Sequence, residues 1–235
     1  MNLELDKNKF TQKLMLKSDG FYESEVSDMM VRVLEEGDTF IDCGAHIGWF
    51  TIIGAELCSK VYCFEAEKTN YECLIGNIGL NGLKNVKAFH NAVGDECKEV
   101  ELYVNLDNDG GHALWDVSGH PFNKKTREAK KTLQKVEMVT LDSLIDEPVK
   151  LIKIDTEGCE LNVVKGAENL IKKYSPMIIL EMNDSAFEEM GYTKSELIEY
   201  LENLGYEGFD LKTGGSMEDM SKKYAENAVF VRTRK

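Results

Sequence analysis

The sequence predicts a doubly wound α/β fold, a mostly parallel sheet with helices on both faces. Three observations carry this. Short apolar runs alternate with segments of helical periodicity along most of the 235 residues. The stretch 39–65 reads strand, glycine turn, helix, strand, acid, which is the order of a nucleotide-binding half. Two later apolar strands, at 151–155 and 177–181, each end in acidic residues.

Residues 1–21 form an N-terminal arm, in which the weak alternation of 9–16 predicts a strand or hairpin over the sheet. Over 22–34, Val26, Met29, Met30, Val33 and Leu34 recur at helical spacing, and Gly37-Asp38 breaks that helix before the first core strand, 39–43. A helix from Ile47 to Leu57 turns Ile52, Ile53 and Leu57 toward the sheet, and the second strand is 61–64. Helix 69–80 turns Tyr71, Leu74, Ile75 and Ile78 inward and stops at Asn81-Gly82. The third strand is 86–92. Val100, Leu102 and Val104, and later Val136 and Met138, alternate as half-buried antiparallel strands. Between them 105–134 is an inserted lid, too long for an ordinary connection. The rhythm resumes with the fourth strand, a helix at 161–174, the fifth strand and a helix at 194–204 closed by Gly205. Strands at 206–211 and 228–232 flank Gly214-Gly215 and a short polar helix. No linker or repeat interrupts the chain, so 1–235 reads as one domain carrying the lid.

With 43% hydrophobic residues the chain has enough for a sizeable core. A net charge of −14 argues against nucleic acid as the main partner. No run of 18 apolar residues is present, so no membrane span is expected. The start, MNLELDKNKF, lacks the apolar region of a secretory signal. Six cysteines without a C-x-x-C pair point to small core residues in a reduced, cytoplasmic compartment.

The turn at 42–48 lacks both the G-x-G-x-x-G of dinucleotide sites and the P-loop pattern. Asp42 closes the first strand, where its charge suits a cation better than a pyrophosphate. Gly44 and Gly48 allow close backbone approach, and the helix that follows offers unpaired N–H groups. Glu65 lies about 20 residues beyond, where a carboxylate takes ribose hydroxyls. S-adenosylmethionine, which carries an amino group, a sulfonium and a carboxylate but no phosphate, fits this set; a plain strand-to-helix turn is the alternative. Asp155 and Glu157 follow the fourth strand, and Glu181 and Asn183 the fifth. Ligands in open α/β sheets bind outside the carboxyl ends of the strands. These four therefore suit a general base, a substrate clamp or a hard-metal site, whereas Glu160 suits helix capping.

Four blocks now resemble a known family: Phe40-Ile41-Asp42-Cys43-Gly44-Ala45-His46-Ile47-Gly48, Asn91-Ala92-Val93-Gly94-Asp95, Thr140-Leu141-Asp142-Ser143-Leu144 and Ile154-Asp155-Thr156-Glu157-Gly158-Cys159-Glu160. In order and spacing they resemble the FkbM family of S-adenosylmethionine-dependent methyltransferases, over about 22–181. The resemblance implies the class I methyltransferase (Rossmann-like) fold, a seven-stranded sheet whose last strand is antiparallel. It implies methyl transfer to a hydroxyl oxygen of a sugar or secondary metabolite. It also implies that Asp42, Gly44, Ala45 and Gly48 line the methionine part of the cofactor, with His46 where the family more often has Asn. Glu65 would take the ribose, Asn91 and Ala92 would flank the adenine, and Asp155 and Glu157 would lie by the methyl group.

The expected partner is then a small-molecule or glycan hydroxyl acceptor, with Asp155 or Glu157 as its base and no metal required. His112 and His120 on the lid are second candidates for the base. His112, Trp115, Glu181 and Asn183 are candidate acceptor contacts. Gly110-Gly111 reads as a hinge, and Lys124, Lys125, Arg127, Lys130, Lys131 and Lys135 as an attraction for an anionic acceptor; a solvated basic helix beside a loop is the alternative. Two other readings stand. In one, Asp155, Glu181 and Asn183 hold Mg²⁺ that acidifies the hydroxyl. In the other the chain is a non-catalytic cofactor-binding module.

Overall fold

A computed structural model of the chain describes residues 1–129, 132–216 and 226–233. The polar helix expected after Gly214-Gly215, and Lys130 and Lys131 of the basic run, lie outside the described residues. In chain order the strands are β1 (Thr39–Cys43), β2 (Lys60–Phe64), β3 (Val86–Phe89), β4 (Ala92–Val93), β5 (Lys98–Tyr103), β6 (Leu133–Val139), β7 (Leu151–Ile154), β8 (Met177–Glu181), β9 (Tyr206–Asp210) and β10 (Asn227–Arg232). All five residues of β1 and all four of β7 are buried, the pattern of parallel strands covered on both faces. The main sheet has seven strands in the order β3-β2-β1-β7-β8-β10-β9. Its pairings are parallel until β10, which runs antiparallel to both β8 and β9. This is the class I methyltransferase topology. The order reverses between β1 and β7, and that switch point places the site.

Helices cover both faces: α2 (Ser24–Val33), α3 (Trp49–Leu57) and α4 (Lys68–Leu80) lie toward the N-terminal half, α7 (Glu160–Lys165), α8 (Glu168–Tyr174), α9 (Asp184–Glu189) and α10 (Lys194–Asn203) toward the C-terminal half. Two buried apolar clusters result, one containing Met30, Phe40 and Phe50, the other Ile152, Ile171 and Leu197. A capping box fixes the start of α10: Thr193 and Glu196 satisfy each other's backbone N–H groups.

Several elements differ from expectation, each for a physical reason. The arm expected to be extended is a helix, α1 (Phe10–Lys17). Its Leu, Lys, Met and Gln residues are good helix formers, and Thr11, Gln12 and Met15 bury on one side at helical spacing. The helix expected over 161–174 breaks at Gly166. A Cβ there would lie 1.9 Å from Gly94 O, and Gly166 O accepts from Asp142 N. In α4 Ile75 points outward, 43% exposed, while Asn70 and Asn77 are buried. Asn77 Nδ2 donates to Ile47 O at 2.9 Å, and its Oδ1 takes Glu4 N. Polar bonding thus decides which face turns in. The third strand ends at Phe89, and Ala92–Val93 joins a side sheet ordered β4-β6-β5. The lid leaves that side sheet at β5 and returns at β6. It has structure of its own: a bridge from Tyr103 to Ala113, a 3₁₀ turn Val117–Gly119 and α5 (Lys124–Glu128). Gly110 packs against α1, where a Cβ on it would meet Thr11 Oγ1 at 2.7 Å.

Candidate functional site

Beyond the carboxyl ends of β1, β2 and β7 lies a cavity of about 260 Å³. The glycine turn forms its floor. Gly44 has φ +81°, and a Cβ on it would sit 1.7 Å from Asp155 O. The glycine is therefore required by the neighbouring strand end, whatever else approaches it. Gly44 N and Ala45 N both donate to Phe64 O, and His46, at φ +52°, donates its N–H to Glu65 Oε2 at 2.8 Å. Glu67 N reaches Glu65 Oε1 at 2.7 Å. Burial pushes Glu65 up to about 8 against the pull of these two amides. Each of its oxygens keeps a second lone pair for a ligand hydroxyl. Asn91 and Ala92 line the far wall, where Asn91 is fixed by its Nδ2 bond to Glu137 O. Gly48 caps α3 from the left-handed region and, like Asp42, stands behind the lining.

Beneath the turn is a buried charge cluster. Cross-strand register sets Asp42 opposite Lys153. Asp42 is fully buried; Thr51 donates to its Oδ2 at 2.6 Å, and its Oδ1 has no hydrogen-bond partner among the described residues. Burial raises its pKa against the pull of Lys153 and Thr51. Lys153, 2% exposed, donates to Asp155 Oδ2 at 2.8 Å and lies over the Phe50 ring. Burial opposes its charge, but Asp155, Asp42 and Glu23 outweigh that and hold the ammonium protonated. Sequence reasoning missed Lys153, Glu23 and Tyr22, all of which line the cavity. The signal for Lys153 was a charged residue inside the buried run LIKI.

At the other end Asp155, Glu157 and Glu181 converge, with one carboxylate oxygen from each within 4.8 Å of the others. Glu157 sits at φ +52° beside Gly158. Burial, then the charges of Asp155 and Glu160, push it up to about 8. Glu181 rises well above the ordinary carboxylate range through burial and the charges of Asp155 and Glu157, and its Oε2 is shielded with no hydrogen-bond partner among the described residues. Glu160 is a clamp: it accepts from Thr156 N, Thr156 Oγ1 and Gly158 N, which holds this strained turn. Asn183 is outside the cavity. Its Oδ1 caps α9 by accepting from Ala186 N and Ser185 Oγ.

The roof is α1 and the start of the lid, with Asp109 at their junction. Asp109 accepts from Thr11 N at 2.7 Å, Gln12 Nε2 at 3.1 Å and His46 Nε2 at 3.1 Å, while its carbonyl accepts from Asn70 Nδ2. Burial would raise its pKa; the His46 bond and charge and the Thr11 amide outweigh this and set it at about 2. His112 also lines the cavity, with Nδ1 accepting from Asn105 N. Burial lowers it to about 4, so it is neutral at pH 7 with its proton on Nε2. Trp115 lies just behind the wall and donates Nε1–H to Glu157 O at 2.9 Å. His120 is exposed beside Phe122.

A family model described as the methyltransferase FkbM domain matches residues 42–207. Methyltransferase 1 of Beauveria bassiana (strain ARSEF 2860) is 25% identical over 165 residues, 63% of this chain and 66% of that protein. The chain thus spans just under two thirds of that relative's length. The crystal structure of methyltransferase FkbM from Methylobacillus flagellatus KT aligns with a TM-score of 0.51 and 16% identity, over 83% of this chain and 43% of that one. A Streptococcus mutans protein in complex with SAH gives 0.52 and 9%, over 90% and 97%. Precorrin-6y C5,15-methyltransferase from Geobacter metallireducens GS-15 gives 0.50 and 12%, over 99% and 94%. At such identities the structural likeness is one of fold.

Proposed function

The chain belongs to the FkbM methyltransferase family, and from that premise we propose that it methylates a hydroxyl oxygen on a sugar or secondary metabolite. S-adenosylmethionine, when bound, supplies the methyl group. The residues present fit it. Glu65 offers lone pairs to a diol, and the surplus of acids around Lys153 favours a cationic ligand. Asn91 and Ala92 offer a wall for the adenine.

The observation that carries oxygen as the target is Glu157. Its carboxylate, pushed up to about 8, faces the cavity next to Asp155. An aliphatic hydroxyl is a weak nucleophile and gains from a base poised near the working pH. Glu157 would take the proton of the acceptor hydroxyl as that oxygen receives the methyl group the cofactor would supply, with the sulfonium leaving as the thioether. The products are a methyl ether, the thioether and a protonated Glu157. Asp155, held by Lys153, orients the acceptor, and α1 with the lid excludes water.

A second reading rests on the acid triad. Asp155, Glu157 and Glu181 offer hard oxygen ligands to a divalent cation. Glu157 here takes the place of Asn183, whose oxygen is engaged in capping α9. The test is incubation of the protein with methyl-labelled S-adenosylmethionine and a library of sugars and glycosides, read by mass spectrometry with and without EDTA. A labelled methyl ether supports the proposal, and EDTA-sensitive turnover favours the second reading. Labelled nitrogen or carbon products refute oxygen transfer. Cofactor binding with no turnover on any acceptor leaves the non-catalytic module.

A further inference from the structure

The outer face of the roof differs from the rest of the molecule. Helix α1 buries Thr11, Gln12 and Met15 and turns Phe10, Lys13, Leu14, Leu16 and Lys17 outward. Phe10 is 53% exposed, Leu14 43% and Leu16 46%. Phe21, just beyond the helix, is 75% exposed. One such side chain exposed by itself would be ordinary; four exposed within twelve residues are not. The same stretch carries Lys7, Lys9, Lys13 and Lys17, and no acid occurs from Lys7 to Ser18 in a chain of net charge −14. All four lysines are exposed, and none has an ion-pair partner among the described residues.

A second element of the same character is tied to the loop that holds α1. Phe122, at 82% the most exposed large apolar side chain among the described residues, precedes α5 with its exposed Lys124, Lys125 and Arg127. The amides of Lys125 and Thr126 bond to Asp107, two residues from the Asp109 that holds α1. Both basic and apolar elements are therefore anchored on one short loop at the mouth of the cavity. Phe10 and Leu14 belong to its lining as well as to the outer face.

We propose that this face docks on an anionic lipid bilayer, with Phe21, Leu16 and Phe122 entering the headgroup boundary and the lysines meeting the lipid phosphates. Charge complementarity singles out this occupant. Apolar side chains alone would suit any greasy partner, but along α1 they alternate with lysines that have no ion-pair partner among the described residues, on an otherwise acidic protein; in α5 Lys124 pairs with Glu128 at 3.9 Å. Interfacial attachment needs both signals, shallow apolar insertion and electrostatic attraction, because either alone holds weakly. Docking in this orientation points the cavity mouth at the surface, so an acceptor carried there reaches the site without crossing water. The inference stands apart from methyl transfer, since attachment is measured without turnover.

The test is flotation of the full chain with vesicles of phosphatidylcholine alone and with a quarter phosphatidylglycerol. Binding at least tenfold stronger to the anionic vesicles is expected, and it should fall as salt rises from 50 to 500 mM. Lys13→Glu with Lys17→Glu, and separately Leu16→Ser with Phe21→Ser, should each reduce it at least fivefold. Calorimetric S-adenosylmethionine affinity and the thermal midpoint, unchanged in both variants, would show that the fold and site survive. Equal attachment to both vesicle types, or variants that float like the wild type, would overturn the proposal. So would sedimentation showing that the wild type self-associates through this face and the variants do not, which would make it a contact between copies.

Discussion

Asp109→Asn should detach the roof while leaving the sheet intact. Three donors converge on this carboxylate, from the arm (Thr11 N and Gln12 Nε2) and from the glycine turn (His46 Nε2). An asparagine keeps one acceptor for Thr11 N but turns an NH₂ toward Gln12 and His46, where a donor then faces donors. Hydrogen bonds to a charged group contribute about 1.5–3 kcal/mol each, and water reaching the cavity rim recovers part of that, so a loss of roughly 2–4 kcal/mol is expected. Much of it should appear as local opening of α1. Hydrogen exchange on residues 10–17 is the assay, with urea unfolding for the global term. The pH dependence gives an independent check. Asp109 falls from its usual 3.8 to about 2 in the folded state. Its contribution is therefore complete above the unfolded value and is lost as pH drops from about 4 toward 2. At about 1.4 kcal/mol per pH unit the difference amounts to roughly 2.5 kcal/mol, or about 1–2 kcal/mol after solvent screening. If α1 in Asp109→Asn exchanges at the wild-type rate and acid unfolding has the same midpoint, the latch described here does not hold the roof.

Glu65→Ala leaves the His46 and Glu67 amides without their acceptor and would remove the proposed ribose contact; S-adenosylmethionine affinity should fall by about 1–3 kcal/mol, and calorimetry showing no change would place the ribose elsewhere. Glu157→Gln should keep cofactor affinity and lower kcat about 10²–10⁴-fold. In the wild type, kcat should rise with pH through about 8 as Glu157 ionises, and a flat profile would point to another base. Gly44→Ala drives a methyl into Asp155 O at 1.7 Å from a backbone with φ +81°. It should destabilise by about 3 kcal/mol or more and abolish cofactor binding, because β1 and β7 can no longer end side by side; a thermal midpoint within 2 °C of the wild type would refute the steric account.

The alternation of strands and helices was legible because β1, β7 and β8 are short, mostly apolar runs, interrupted by Asp42 in β1 and Lys153 in β7, and α2 and α10 have clean helical periods. The residues at their carboxyl ends were legible for the same reason: once a parallel sheet is expected, Asp155 and Glu181 can only lie at its mouth. What stayed hidden was set by long-range hydrogen bonds. The inward face of α4 is chosen by Asn70 and Asn77, whose partners lie in the lid and the glycine turn. No periodicity of apolar residues reports that. Asn183 and Trp115 show the converse. Both are residue types that suit a ligand, yet one is engaged in capping a helix and the other in bracing Glu157.

His46 joins the two levels. In sequence it is only a departure at one position of a glycine turn. In the fold its backbone amide holds Glu65 and its ring holds Asp109, so one residue ties the Glu65 carboxylate on the floor to the helix that forms the roof. A ligand that draws Glu65 away from the His46 amide therefore acts on the turn that presents the ring to Asp109. If the cofactor's ribose engages Glu65, cofactor binding and protection of α1 should be coupled through this residue, and such linkage is reciprocal. His46→Asn keeps the backbone bond and, with its shorter side chain, breaks the reach to Asp109. It should leave the Glu65 contact in place while uncoupling cofactor affinity from protection of residues 10–17. Were hydrogen exchange of α1 still to slow on cofactor binding in that variant by the wild-type factor, the coupling would run through Asn70 and the lid rather than through His46.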